Sequence, residues 1–213
     1  MSEEYRELLI GCGHSREKLM HVSGRLPEWS NLTTLDQYPE CDPTYLCNLN
    51  VTPWRIREMG TNFESTYFAN DYFDEIHAYE VLEHLGRQGD AESFFNTFNE
   101  IYRILKPGGH LMATCPSRTS AWLWGDPSHT RAIQTESLAF LDQGIIHNNR
   151  KRNTAMSDFS LYWKGDLQKC FSQDNGANHI FMLKAHKPAR VFDMVEMGQP
   201  HFTAHNQLKD SGK

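Results

Sequence analysis

Glu7-Leu8-Leu9-Ile10-Gly11-Cys12-Gly13-His14-Ser15 divides into three pieces. Leu8, Leu9 and Ile10 are consecutive apolar residues, the pattern of a strand buried on both faces. Gly11 and Gly13 mark a turn where the backbone passes close to something. Ser15 suits the start of a helix. Strand, glycine turn and helix start together would cradle a polar or anionic ligand, because the first helical N–H groups have no internal partner. A Gly-x-Gly pair also serves as an ordinary tight turn, so the flanking sequence has to decide between the two.

Outward from this stretch the chain alternates short apolar runs with turn residues. Residues 5–10 form the first strand of the reading. Leu32-Thr33-Thr34-Leu35 is β-prone and ends on Asp36, and residues 45–49 make another brief apolar run. Phe73-Asp74-Glu75-Ile76-His77-Ala78-Tyr79 reads as a strand and Val81-Leu82-Glu83-His84-Leu85 as a helical turn beyond it. The clearest helix carries Phe94, Phe98, Ile101 and Leu105 at spacings of three to four, with Phe95 and Tyr102 widening the stripe. Asp90 is placed to cap it, and Pro107-Gly108-Gly109 to stop it. Leu111 to Cys115 follow as a strand closed by Pro116. This is an α/β crossover unit, whose parallel strands are covered by helices on both faces. Thr135 is read as the cap of a helix carrying Leu138, Phe140 and Leu141. Residues 144–155 are polar, and residues 159–163 and 179–184 read as two further strands. No repeat or low-complexity linker divides the chain, so the reading is a single domain over residues 1–195 with a tail at 196–213.

Composition narrows the function classes. The chain has 213 residues, 39% of them hydrophobic, with 12 Phe, 8 Tyr and 5 Trp, enough for a packed core. A formal charge of −6 without a long basic run gives no electrostatic footprint for nucleic acid. The cluster Arg150-Lys151-Arg152 reads as a solvated loop. No apolar run approaches the roughly 18–20 residues that cross a bilayer, and the acidic N-terminus predicts no signal peptide. The five cysteines, Cys12, Cys41, Cys47, Cys115 and Cys170, are odd in number and scattered. They predict reduced thiols in the cytoplasm. Without a Cys-x-x-Cys pair, no metal site is expected.

Two landmarks settle the reading of the glycine turn. Residues 73–79 continue into Glu80-Val81-Leu82-Glu83-His84-Leu85, and about twenty residues later stands Ile104-Leu105-Lys106-Pro107-Gly108-Gly109. With the first stretch, they resemble the class I S-adenosylmethionine-dependent methyltransferases, of the type 11-like group. The resemblance implies a Rossmann-like, seven-stranded, mostly parallel sheet with helices on both faces and an antiparallel last strand. It implies S-adenosyl-L-methionine as cofactor. Gly11, Cys12 and Gly13 would pass the methionine part. Asp36 would accept from the ribose hydroxyls, as an acidic residue does in dinucleotide folds. Asn48 and Leu49 would meet the adenine edge, with an amide where many members have Asp. Glu80 and Val81 would flank the methyl-bearing sulfur. Leu9 departs from the family's frequent carboxylate and Ser15 from its third glycine. Arg16 stands where a dinucleotide fingerprint wants glycine, which disfavours a dehydrogenase.

The substrate wall is expected in the loop after Cys115, since ligands of open parallel sheets lie beyond the carboxyl ends of strands. Trp124-Gly125-Asp126-Pro127-Ser128-His129-Thr130-Arg131 is similar to a segment of some type 11 members. His129 is the first choice of general base, because imidazole titrates near neutrality, with Asp126 beside it as a second catalytic candidate. Trp124, Arg131 and His84 are the candidate substrate contacts. In the alternative reading, Trp122 and Trp124 anchor the loop in the core and residues 126–131 only form a turn. The sequence lacks the Asn/Asp-Pro-Pro-Tyr/Phe run of amino-methylating DNA enzymes, and Cys115-Pro116 reverses the Pro-Cys order. The expected activity is methyl transfer to a small-molecule acceptor. The alternative is a catalytically inactive cofactor-binding domain with a structural or regulatory role.

Overall fold

A computed structural model describes residues 4–61 and 63–190. The expected domain end at residue 195 and the tail from 196 lie outside the described residues. Nine strands form one sheet: β1 (Glu7–Ile10), β2 (Leu32–Asp36), β3 (Tyr45–Leu46), β4 (Arg55–Glu58), β5 (Thr66–Tyr67), β6 (Phe73–Tyr79), β7 (Leu105–Pro116), β8 (Leu167–Asp174) and β9 (Asn178–Ala185). Their order is β5-β4-β3-β2-β1-β6-β7-β9-β8. The central strands β3, β2, β1, β6 and β7 are parallel, and β9 runs antiparallel between β7 and β8. The count exceeds the expected seven because β4 and β5 extend one edge as short antiparallel additions.

Helix α1 (Ala91–Ile104) forms as its periodicity predicts. Its N-cap is Asp90, whose side chain accepts from the Ser93 N–H. Phe95, Phe98, Ile101 and Ile104 join Leu8, Ile10, Ile76, Ala78, Leu111 and Ala113 in one apolar core. The residues between these on the strands point to the opposite face. Strand β7 starts earlier than the sequence suggests. Phe73 pairs with Leu105 and Glu75 with His110, so residues 106–109 bulge between them.

Three expectations fail locally. No helix follows Ser15; residues 14–31 are irregular and lie over β1 and β6 on the face opposite α1. Arg16 and Lys18, which a helix would send to solvent, are held inside. The Arg16 guanidinium donates to the carbonyls of Gly13, Cys41 and Asp42, and Lys18 reaches Glu7 and Glu75. Residues 159–163 are a turn rather than a strand. Trp163 plugs the core against Phe95 and Tyr102 and donates from Nε1 to the Leu141 carbonyl. The outer strand is β8 instead. The polar stretch after residue 142 is helical over Gln143–Lys151, capped by Asp142. Among the described residues, no helix is long and apolar enough to cross a membrane.

Candidate functional site

The carboxyl ends of β1, β2 and β6 open into a cleft of about 470 Å³. At the end of β1 the chain turns with φ of +58° at Gly11 and +49° at Gly13. Gly11 cannot be replaced, because a Cβ there would stand 2.3 Å from Val81 Cγ2. At Gly13 the same position is open space, so the loop presents bare backbone to the cleft. The loop is fixed from β2: the Cys12 N–H donates to the Leu35 carbonyl and the Gly13 N–H to Asp36 Oδ2 at 2.9 Å. Asp36 Oδ1 accepts from the Tyr38 N–H at 3.0 Å. Each carboxylate oxygen has two lone pairs, so both keep acceptor capacity toward the cleft.

On the opposite wall, Glu80 follows β6 with φ of +51°, its N–H held by the Thr114 carbonyl and its Oε1 by the Asn178 amide. Val81 fills the space beneath Gly11. The chain then makes a 3-10 turn over Leu82–His84. Asn48 and Leu49 close the third side, where the Asn50 amide oxygen also accepts from the Gly86 N–H.

Gly11, Gly13, Asp36, Asn48, Leu49, Glu80, Val81 and His84 therefore line one cleft. Cys12 does not; it is buried beneath the loop, and burial pushes its thiol pKa up. Tyr38, Cys41, Asn50 and Ser128 also line the cleft without having been singled out from sequence. Ser128 lies inside the run quoted above, but nothing in its residue type signalled a wall position.

The loop after β7 behaves differently. Trp122 and Trp124 are 71% and 61% exposed, so neither anchors the core; Leu123, at 3%, does. Neither tryptophan lines the cleft. Arg131 is buried away from it. Its Nη2 donates to the carbonyls of Arg87 and Asp90 and to Ser93 Oγ, tying down the approach to α1. Nη2 is committed to these partners, while Nε has none among the described residues, and Arg131 does not line the cleft. The amides of Thr130 and Arg131 both donate to the Glu83 carbonyl, stitching this loop to the 3-10 turn.

That stitching brings Glu83, His84 and His129 together. The rings of His84 and His129 meet edge to face at 4.7 Å between centroids. Nε2 of each stands 3.9 Å from Glu83 Oε1, and His129 Nε2 is 3.8 Å from Asp126 Oδ2. Glu83 is fully buried, and among the described residues neither carboxylate oxygen has a hydrogen-bond partner. Burial, reinforced by the carboxylates of Glu80 and Asp126, raises its pKa to about 7. Asp126 has a lowered pKa because the Ser128 hydroxyl and amide donate to it. In the sequence Glu83 is only part of a helical turn; it stands four residues beyond the end of β6, where alternation no longer predicts direction.

Residues 8–113 match the family model described as a methyltransferase domain. The match begins with β1, includes the glycine turn and Asp36, and ends inside β7. The chain is a class I S-adenosylmethionine-dependent methyltransferase by family. The cofactor of that family fits the cleft: bare backbone at Gly13, a carboxylate with spare acceptors at Asp36, and one continuous cavity between them. Among solved structures, a methyltransferase from Archaeoglobus fulgidus is 13% identical, with a TM-score of 0.45, covering 84% of this chain and 86% of that one. One from Mesorhizobium loti is 11% identical, with a TM-score of 0.47 and coverage of 86% and 93%. The N-methyltransferase NodS from Bradyrhizobium japonicum, in complex with S-adenosyl-L-homocysteine, is 17% identical, with a TM-score of 0.42 and coverage of 85% and 78%. No curated protein sequence matches the chain.

Proposed function

We propose that this methyltransferase-family chain methylates a small-molecule acceptor that enters beside Glu80, His84 and Ser128. The observation that carries the reading is the single cleft shared by the glycine loop, Asp36, Asn48–Leu49 and the Glu80–His84 wall. The cofactor supplies an electrophilic methyl group on a sulfonium. The chain's own task is alignment and exclusion of water, which for such a displacement accounts for much of the rate. Asp36 holds the ribose hydroxyls, and Asn48 with the Leu49 backbone reads the adenine edge. Gly11 and Gly13 let the methionine portion approach, with Val81 supporting the turn from below.

An acceptor that must lose a proton needs a base within reach. His84 is on the cleft wall, with His129 and Glu83 behind it; Asp126 stands beside His129, and neither His129 nor Asp126 lines the cleft. In this reading the proton passes to the histidine pair. Leu9 and Ser15, which stand where the family often has a carboxylate and a third glycine, favour a second reading, in which the cofactor binds without turnover. All five thiols are free, which fits a reducing compartment such as the cytoplasm.

Calorimetry with S-adenosylmethionine, S-adenosylhomocysteine and NAD tests the cofactor assignment. The first two should bind and NAD should not. Absence of binding by both, in protein with a native circular dichroism spectrum, would remove the reading. Asp36→Ala should weaken both by about 1.5–3 kcal/mol, the value of hydrogen bonds to a charged group. Formation of S-adenosylhomocysteine on addition of small-molecule amines, phenols and thiols separates turnover from silent binding.

A further inference from the structure

We propose that Glu83, His84 and His129 form a site for one divalent transition-metal ion of the zinc class, opening onto the cleft.

The donor atoms already converge. Nε2 of His84 and Nε2 of His129 each lie 3.9 Å from Glu83 Oε1. The other ring nitrogens fix the tautomers. His84 Nδ1 lies 3.2 Å from the Ser128 carbonyl and His129 Nδ1 lies 3.2 Å from the Leu123 carbonyl. A carbonyl only accepts, so each Nδ1 carries the proton, and in the neutral ring each Nε2 presents a lone pair. Metal-binding histidines are held in this way, one nitrogen on the ion and the other donating to a backbone carbonyl. Two lone pairs thus face a carboxylate across a gap that lacks a positive charge.

The carboxylate is the second observation. Glu83 is wholly buried, yet among the described residues neither oxygen has a hydrogen-bond partner, the Cys115 thiol being a near neighbour. Among the described residues its ion contacts are the two histidine rings alone. The molecule contains a second set of the same donor types, Glu7, Glu75 and His77, and there the Lys18 ammonium sits among the carboxylates. Among the described residues the cleft set has no such cation.

Two histidines and a carboxylate make a familiar zinc set that leaves one position open. Tetrahedral ligands at zinc distances stand about 3.3 Å apart, so each histidine nitrogen needs to close on Glu83 Oε1 by roughly half an ångström, within a donor set that lies inside 4.8 Å. His84 is one-third exposed, on a short turn. Since His84 and Ser128 both line the cleft, the open position faces it. Only the ion's role rests on the methyl-transfer reading: an acceptor hydroxyl or thiol held there would lose its proton to water more readily, replacing the histidine base. Binding itself does not depend on that reading.

The test uses the full chain carrying Cys170→Ser, which removes the one exposed thiol, stripped with chelator. Zn²⁺ is titrated by calorimetry and Co²⁺ by visible absorption. The expected result is one equivalent of each, with d–d bands of low-coordinate Co²⁺ and no thiolate charge-transfer band. Glu83→Gln and His84→Ala should each reduce affinity at least tenfold. No stoichiometric binding, a thiolate band, or undiminished affinity in both variants would overturn the proposal. The unsubstituted donor set decides the first two outcomes even if a variant fails to fold. A parallel titration with S-adenosylhomocysteine keeps the readings apart: its failure removes the cofactor assignment and leaves the metal site standing, and the converse holds.

Discussion

Glu75 and Glu83 are eight residues apart on either side of one strand end, and both are fully buried. Glu75 accepts from Tyr5 at 2.5 Å, lies 3.0 Å from His77 Nε2 and faces the Lys18 ammonium at 3.4 Å. The same network extends to Glu7, which accepts from the Ser30 and Asn31 amides, and through His77 to Tyr79, which accepts from the Met20 N–H. Burial alone would push the Glu75 carboxyl up, but these bonds and the ammonium hold it down at about 2. Glu83 meets two histidines and no cation, and burial carries it up to about 7. The first carboxylate is a finished structural joint that holds residues 14–31 on the sheet. The second is unfinished, at the wall of a cleft. Completeness of the local charge balance separates the two roles more clearly than burial does.

The comparison breaks most visibly if Lys18 is unimportant. Lys18→Met would leave Glu7 and Glu75 buried without their counter-charge. Removing one partner of a buried ion pair costs about 3–5 kcal/mol, and the variant should lose stability on that scale in denaturant titrations. A loss below about 1 kcal/mol would mean that the strap over β1 is held by something else.

Lys18 also shows where sequence reading stops. The apolar half of the fold is local: α1 advertises its spacing and its Asp90 cap, and β1 and β6 their buried runs. The meeting of Gly11, Gly13, Asp36 and Glu80 at one cleft is equally legible, because each stands at or just beyond the end of a strand and the strand ends must converge. The polar face is not. Lys18 and Arg16 look like solvent-facing helix residues until their distant partners, Glu75 and Cys41, are in place. The loop at 122–131 misled for a similar reason. Its tryptophans look like anchors or substrate contacts, but Leu123 is the anchor. Arg131 looks like an anion site, but its partners are carbonyls forty residues earlier. Such pairings are set by tertiary contact, and neither periodicity nor motif carries them.

Acid sharpens the contrast next. The Glu75 carboxyl is depressed from 4.5 to about 2 in the folded protein. A depressed acid stabilises the fold above its unfolded pKa, and that contribution fades as pH falls through the folded one. The window is therefore about pH 4.5 down to 2, and the contribution is at most about 3 kcal/mol. Stability measured across that range should fall less steeply in Glu75→Gln than in the unsubstituted chain. Parallel curves would remove Glu75 from the acid response.

The smallest effect has the opposite sign. Glu75→Gln removes a satisfied charge and should destabilise at neutral pH. Glu83→Gln removes an unsatisfied one, and in chelated protein should stabilise by about 1–2 kcal/mol, the desolvation cost of an unpaired polar group. Saturating Zn²⁺ should reverse that order. An ion at a hundredfold excess over its dissociation constant adds about 2.7 kcal/mol to a chain that binds it only when folded, and Glu83→Gln would forgo most of that gain. Denaturant titrations of the two chains, with chelator and with Zn²⁺, read both signs. If Glu83→Gln were the less stable chain in chelator as well, Glu83 would be a structural joint like Glu75, and the distinction between the two carboxylates would fail.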